Sequence, residues 1–144
     1  MATHLEQMKV VEQFAAALDN EDYEAAYTLL SPTCTYEISE RVLRGSDSII
    51  ASYRANGEWV AANIDSVTYR SSIEEDIDGD RFLVRFEDQL THKGKQLTHA
   101  CQQIMQLDAS GKINRIEHRD LPGEPEALKA FFQEVGIKRE SQNV

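Results

Sequence analysis

Up to about residue 63 apolar side chains recur every three to four positions, and from Ile64 onward they alternate with polar ones. A period near 3.6 marks a helix with one buried stripe; a period of two marks a strand with one buried face. Residues 4–19 place Leu5, Met8, Val11, Phe14, Ala15 and Leu18 on one stripe, predicting a first helix. The polar run at 19–22 breaks it. Asp22 then caps a short second helix with Ala25, Ala26, Leu29 and Leu30 as its stripe, and Pro32 stops it. "CTYEIS" reads as a short strand. "RGSDSIIASYRANGEWVAAN" reads as a third helix, opened by Ser46 or Asp47, with Gly57 a point where it can be interrupted.

After the change of period come four strands: "DSVTYRSSI", "RFLVRFEDQLTH", "QLTHACQQIMQLD" and "KINRIEHRD". The turns between them are "DGD" at 78–80, "KGK" at 93–95 and "ASG" at 109–111. "GEPEALKAFFQEVG" closes the chain as a helix with Pro125 in its first turn. The prediction is an α+β domain, with three helices and one early strand followed by a four-stranded antiparallel meander that the helices cover. A single domain over residues 1–144 is expected, with a core at about 5–121 and the closing helix at about 124–135.

Strand parity sharpens this picture. Phe82, Val84, Phe86, Asp88, Leu90 and His92 share the more apolar face of their strand, and Leu97, His99, Cys101, Gln103, Met105 and Leu107 share that of the next. A two-residue turn at Lys93-Gly94 pairs Phe86 with Cys101, Val84 with Gln103 and Asp88 with His99, so the apolar faces coincide. A similar turn at Ser110-Gly111 pairs Met105 with Ile116, Gln103 with His118 and Cys101 with Asp120, and calls for a bulge near Ile113. Asp88, His99, Gln103, His118 and Asp120 then converge on the covered face. Buried charge is costly unless paired, so such a cluster needs an internal network, a wet cavity or a ligand. Desolvation raises a carboxylate pKa and a neighbouring imidazolium lowers it, so the group can hold an acid and a base near neutral pH. Asp88, His99, His118 and Asp120 are the candidate catalytic residues. Gln103, Phe86, Tyr27, Tyr36, Tyr53 and Trp59 are the candidate ligand contacts. Each has a plainer reading: Asp120 anchoring the "LPGEP" turn, His99 and Asp88 as a satisfied core pair, the aromatics as core.

Charge and composition narrow the partners. A net charge of −10 and a pI near 4.8 argue against nucleic acid or an anionic membrane surface. No apolar run approaches a membrane span, and "MATHLEQMKVVEQ" has no signal-peptide core, so a cytoplasmic protein is expected. Cys34 and Cys101 match no metal or redox spacing, and the histidines and aspartates form no metal motif, so no metal and no cofactor is expected. The outer sheet face, with Leu83, Ala100 and Ile104 among threonines and glutamines, suits a wet homodimer interface.

The stretches "VVEQFAAALDNEDYEAAYTLLSP", "LRGSDSIIASYR" and "DASGKINRIEHRD" resemble the opening helix pair, third helix and final hairpin of the SnoaL-like branch of the nuclear transport factor 2-like superfamily. The resemblance implies a cone of helices on a curved sheet with a deep pocket, and a homodimer. It also implies cofactor-free acid–base chemistry on an apolar substrate, of the cyclase, dehydratase, isomerase or epoxide-hydrolase kind. The three residues that steroid isomerases of this superfamily use fall at Phe14, Ile38 and Gln103, where the required side chains are missing. Asp120 matches an aspartate that closes the last strand in the epoxide hydrolases, while their Arg-x-Asp pair has only Arg85-Phe86-Glu87 as a counterpart. Asp88, His99 and His118 can imitate the His/Asp group of the dehydratases. A non-catalytic ligand-binding domain and a dimeric association module stand as the alternatives.

Overall fold

The structure, a computed structural model, describes residues 3–139. Helix α1 runs from His4 to Asp19, capped by the Thr3 hydroxyl, which accepts from the Glu6 amide at 3.1 Å. It buries Val11, Phe14, Ala15 and Ala17, whereas Leu5, expected on the stripe, is exposed in the overhanging first turn. Asp22 caps α2 (Tyr23–Thr28) by accepting from the Ala25 amide. That helix is shorter than its apolar pattern suggests. Leu29 ends it, and Leu30 already belongs to strand β1 (Leu30–Ile38). Pro32 therefore lies within a strand rather than stopping a helix. It falls in the irregular stretch of the β1 ladder between Leu30 and Thr35, where its missing N–H interrupts no paired position.

A hairpin at Ser39-Glu40 leads into β2 (Arg41–Arg44), a short and mostly exposed strand with no alternation to betray it. Helix α3 (Ser46–Asn63) starts from Gly45, whose φ of 92° only glycine tolerates easily. It is uninterrupted at Gly57. That glycine is present for another reason: a Cβ there would run into the Tyr23 hydroxyl of α2. The remaining elements are β3 (Ser66–Asp76), β4 (Arg81–His92), β5 (Lys95–Leu107), β6 (Ile113–Asp120) and α4 (Glu124–Glu134).

The strands form one curved, unclosed sheet in the order β2-β1-β6-β5-β4-β3. It is six-stranded and mixed, because β1 pairs in parallel with β6 while the other pairs are antiparallel. The meander is thus extended by two strands from the first third of the chain. The inferred registers hold: Asp88 faces His99, Phe86 faces Cys101, and Gln103 faces Val84 on one side and His118 on the other. Lys93 and Gly94 both have positive φ (50° and 78°), the signature of a two-residue hairpin matched to strand twist. A bulge after Gln106 lets Leu107 pair with Ile113, which swings Ile113 into the core.

Two apolar clusters hold the helices to this sheet. Phe14, Cys34, Ile49, Phe82, Val84, Met105, Ile113 and Ile116 form the larger, under α1, α2 and α3. Val60, Ile64, Leu90, Leu128, Phe131 and Val135 form the smaller, under α4. Each fully buried large side chain contributes about 1.5–3 kcal/mol. Between the clusters the same sheet face carries Asp88, His99, Cys101, Gln103 and His118, a polar band that apolar packing alone cannot satisfy. On the outer face, Ala100 and Ile104 are buried among ion-paired side chains. Glu87 takes Arg70 at 3.0 Å and Arg85 at 3.2 Å, and Arg115 binds Glu37 at 2.7 Å. No helix among the described residues is long and apolar enough to cross a membrane.

Candidate active site

A cavity of about 100 Å³ lies where the C-terminal end of α1, α2 and the middle of α3 stand over β1, β3, β4 and β5. Helical spacing explains what α3 sends there: Tyr53, Asn56 and Gly57 sit at i, i+3 and i+4. One wall is a hydrogen-bonded triad. Gln103 donates to the Tyr36 hydroxyl at 2.8 Å and accepts from the Tyr53 hydroxyl at 2.9 Å. The two phenol rings stack with centroids 5.3 Å apart, and Phe14 meets Tyr53 edge-on. Tyr53 donates to Gln103 and Tyr36 accepts from it, and the two hydroxyls also hydrogen-bond each other, which closes the triad. Burial pushes both phenols well above their ordinary pKa, so they are neutral donors throughout the physiological range.

The cavity also holds two carboxylates, Asp88 on β4 and Asp19 at the end of α1. Asp88 has no hydrogen-bond partner among the described residues. Burial, reinforced by the negative charge of Asp19, pushes its pKa up to about 7. Asp19 accepts from the Ser71 hydroxyl at 2.5 Å; burial raises its pKa and that bond pulls it back. Two carboxylates in unequal surroundings divide the roles of proton donor and acceptor. The Tyr69 hydroxyl also lines the cavity and is buried without a partner. Cys101 is held as a neutral thiol, its pKa pushed up to about 12 mainly by burial. Among the described residues, no group of three or more His, Cys, Asp and Glu side chains is arranged to hold a metal ion.

The structure divides the expected site residues. Asp88, Gln103, Tyr36, Tyr53 and Phe86 line the cavity. His99, His118 and Asp120 share the sheet face but not the cavity wall. His99 is buried beneath the start of α4, its Nδ1 3.7 Å from a Glu124 carboxylate oxygen, and burial lowers its pKa. His118 Nε2 lies 2.9 Å from Asp120 Oδ1, and the Asp120 side chain is 54% exposed. Two expected contacts lie elsewhere. Tyr27 is exposed, because the six-residue α2 buries only Ala26 and the next residue turns about 100° away. Trp59 is six residues past Tyr53 and so on another face of α3; it packs on Phe132 and beneath Arg139. Asp19, Tyr23 and Tyr69 also line the cavity, and no motif in the sequence marks them. Asp19 closes a helix in a polar run that reads as a solvated turn, and Tyr69 sits on a strand that no tight two-residue turn ties to the rest of the sheet.

No protein-family model and no curated protein matches the sequence. Solved structures do match. An LEH-like epoxide hydrolase of M. tuberculosis superposes with a TM-score of 0.61 at 20% identity, over 90% of this chain and 97% of that one. SalBIII, an epoxide hydrolase/cyclase-like enzyme with a role in pyran ring formation in the polyether salinomycin, gives 0.65 at 16% identity over 83% and 94%. A de novo designed protein with a curved β-sheet gives 0.60 at 22% identity over 92% and 99%. The fold is therefore that of the SnoaL-like, nuclear transport factor 2-like proteins. A designed chain shares it, so the likeness fixes architecture and leaves activity to the site.

Proposed function

We propose that this SnoaL-like fold encloses a small-molecule site in which Asp88 exchanges a proton with the substrate, without cofactor. The observation that carries the reading is the unpartnered Asp88 carboxyl in a cavity lined also by the neutral phenols Tyr36 and Tyr53. A carboxyl that titrates near the working pH is present in both forms and can act as acid or base. By turning its hydroxyl from Tyr53 toward the cavity, Tyr36 can hydrogen-bond a substrate oxygen on which charge develops. Held by Gln103 in a desolvated wall, it needs little reorganisation to do so. Asp19, fixed by Ser71, is the second carboxylate. Cyclisation, dehydration, isomerisation and epoxide opening all draw on these parts. The LEH-like epoxide hydrolase and the epoxide hydrolase/cyclase-like enzyme SalBIII, which share the fold, make epoxide opening the first to test.

His118, Asp120 and His99 take a supporting part, behind the wall formed by Cys101 and Gln103. The same reading makes the chain one cytoplasmic domain that pairs as a homodimer through the ion-paired outer sheet face. The test is diol formation from a panel of small aryl and alkyl epoxides, run alongside deuterium exchange α to the carbonyl of small ketones. Turnover that Asp88→Asn lowers by about 10²–10⁴ supports the proposal. Turnover in neither assay, with ligands still binding at the cavity, sinks catalysis and leaves a binding domain.

A further inference from the structure

We propose that the ligand carries a protonated amine, and that this cation binds between Asp19 and Asp88 among the tyrosine rings. The inference rests on the pocket reading above and names its substrate class. Both carboxylates line the cavity, and no lysine, arginine or histidine does. Arg54 rests on the Tyr23 ring at 5.3 Å but is not part of the lining. Asp19 spends one oxygen on Ser71 and keeps the other, while Asp88 spends neither. The Tyr69 hydroxyl, paired across the ladder from Asp88, is a further buried acceptor with no partner.

An unpaired carboxylate in a desolvated site is costly unless a proton or another cation neutralises it. A group with three N–H donors and a positive charge fits a lining of oxygens with no base among them. The walls favour it as well. Tyr69 and Phe86 are aromatic members of the lining, and ammonium groups are attracted to aromatic rings; Arg54 already rests on the Tyr23 ring, and Tyr36 and Tyr53 stack on each other. The same lining repels a carboxylate or phosphate ligand, which would meet two like charges and no counter-ion.

The proposal also gives the cation a task. Asp19 disfavours ionisation of Asp88; an ammonium between them cancels that repulsion and favours the ionised form. Binding the correct substrate would then convert Asp88 from a half-protonated acid to a base. The titratable groups acting on Asp88 or acted on by it are Asp19 from α1, Tyr69 from β3 and Cys101 from β5. Tyr69 and Cys101 stay neutral below pH 9, so the response near pH 7 belongs to the carboxylates.

The test uses three ligands of one size and different charge: n-butylammonium, n-butanol and n-butyrate. Each is titrated into the full chain and followed by the NMR shifts of the Gln103 side-chain amide and the Tyr69 ring. The expected result at pH 8 is that butylammonium binds at least about tenfold more tightly than butanol, and that butyrate does not bind. Butylammonium affinity should fall about tenfold from pH 8 to pH 6 as Asp88 takes up its proton, while butanol affinity stays flat. Asp88→Asn should remove the pH dependence. Asp19→Asn should weaken the cation alone, which keeps the test informative if one variant folds poorly. Butanol binding as tightly as butylammonium, with both shifting the cavity signals, overturns the cation proposal and leaves the pocket standing. Preference for butyrate overturns it too. Binding by none of the three overturns it together with the pocket reading.

Discussion

Asp88 and His99 stand directly opposite each other on β4 and β5 and face the same side of one sheet. Asp88 lines a cavity; His99 does not and is 5% exposed. What differs is the element overhead. Above Asp88, α1 and α3 leave room, and the residues they send there are Leu18 and Asp19 from α1 and Ser52, Tyr53, Asn56 and Gly57 from α3. Above His99, α4 begins, and Glu124 comes to 3.7 Å of the ring. Burial disfavours the charged form of both, so it lifts the Asp88 pKa and lowers that of His99. Strand parity decides which face a residue takes; the covering layer decides whether that face is a site or a core.

The largest expected effect separates the two on activity. Asp88→Asn should lower turnover by about 10²–10⁴, while His99→Gln should leave it within about tenfold. Equal losses would mean that the cavity and the covered histidine act as one unit. Stability should move the other way. The Asp88 pKa is about 7 in the fold against 3.8 in the unfolded chain. The folded state therefore binds more protons between those values, and stability falls as pH rises through the window. Asp88→Asn removes that loss and should raise the urea midpoint at pH 8 by an amount worth about 4 kcal/mol. A midpoint that drops at pH 8 would show that the carboxylate is stabilised by something in the fold.

Next comes the wall that makes the cavity polar. Gln103→Leu leaves the Tyr36 and Tyr53 hydroxyls without the amide between them. The expected cost is about 2–4 kcal/mol in chemical denaturation, with weaker ligand binding. Gly57→Ala tests the neighbouring contact. Alanine is the better helix former by about 1 kcal/mol, but its methyl meets the Tyr23 hydroxyl. The variant should be destabilised by about 1–2 kcal/mol in the native background and become neutral or stabilising beside Tyr23→Phe. If Tyr23→Phe does not change the sign, the glycine is needed for some other reason.

Much of the sheet was legible because it is local. A two-residue hairpin turn at 93–94, a turn at 109–111 and two-residue periodicity set the β4–β5–β6 register, and even the bulge near Ile113 follows from one misplaced apolar residue; with that bulge Asp108 pairs with Lys112, so the second turn has three residues rather than the two expected. The parallel pairing of β1 with β6 has no such marker, since its partners are about eighty positions apart and joined by no turn. β2 is missed for a different reason: Arg41–Arg44 is exposed and short, with nothing to alternate. For the site, parity placed Asp88 and Gln103 correctly on the covered face, and Tyr36 and Tyr53 did reach it. Tyr27 and Trp59 did not, because their direction depends on where α2 ends and how α3 turns. Asp19 was invisible: a carboxylate in a polar run becomes half of a buried pair only when α1 is laid against Ser71 of β3.

The smallest expected effect sharpens the comparison from the histidine side. His99 has a lowered pKa in the fold, so below the ordinary histidine value the unfolded chain binds the additional proton. Stability from this group is present above that range and is lost as pH falls toward the folded-state value. The slope is opposite in sign to that of Asp88. Glu124 limits it, because its carboxylate favours the imidazolium and partly offsets burial. His99→Gln should flatten the acid limb of a urea-midpoint profile and leave the limb near pH 7 untouched. Glu124→Gln should steepen the acid limb instead, since the imidazolium then loses its counter-charge. If the two variants change the profile in the same direction, α4 is not what seals His99, and the contrast with Asp88 must come from the sheet itself.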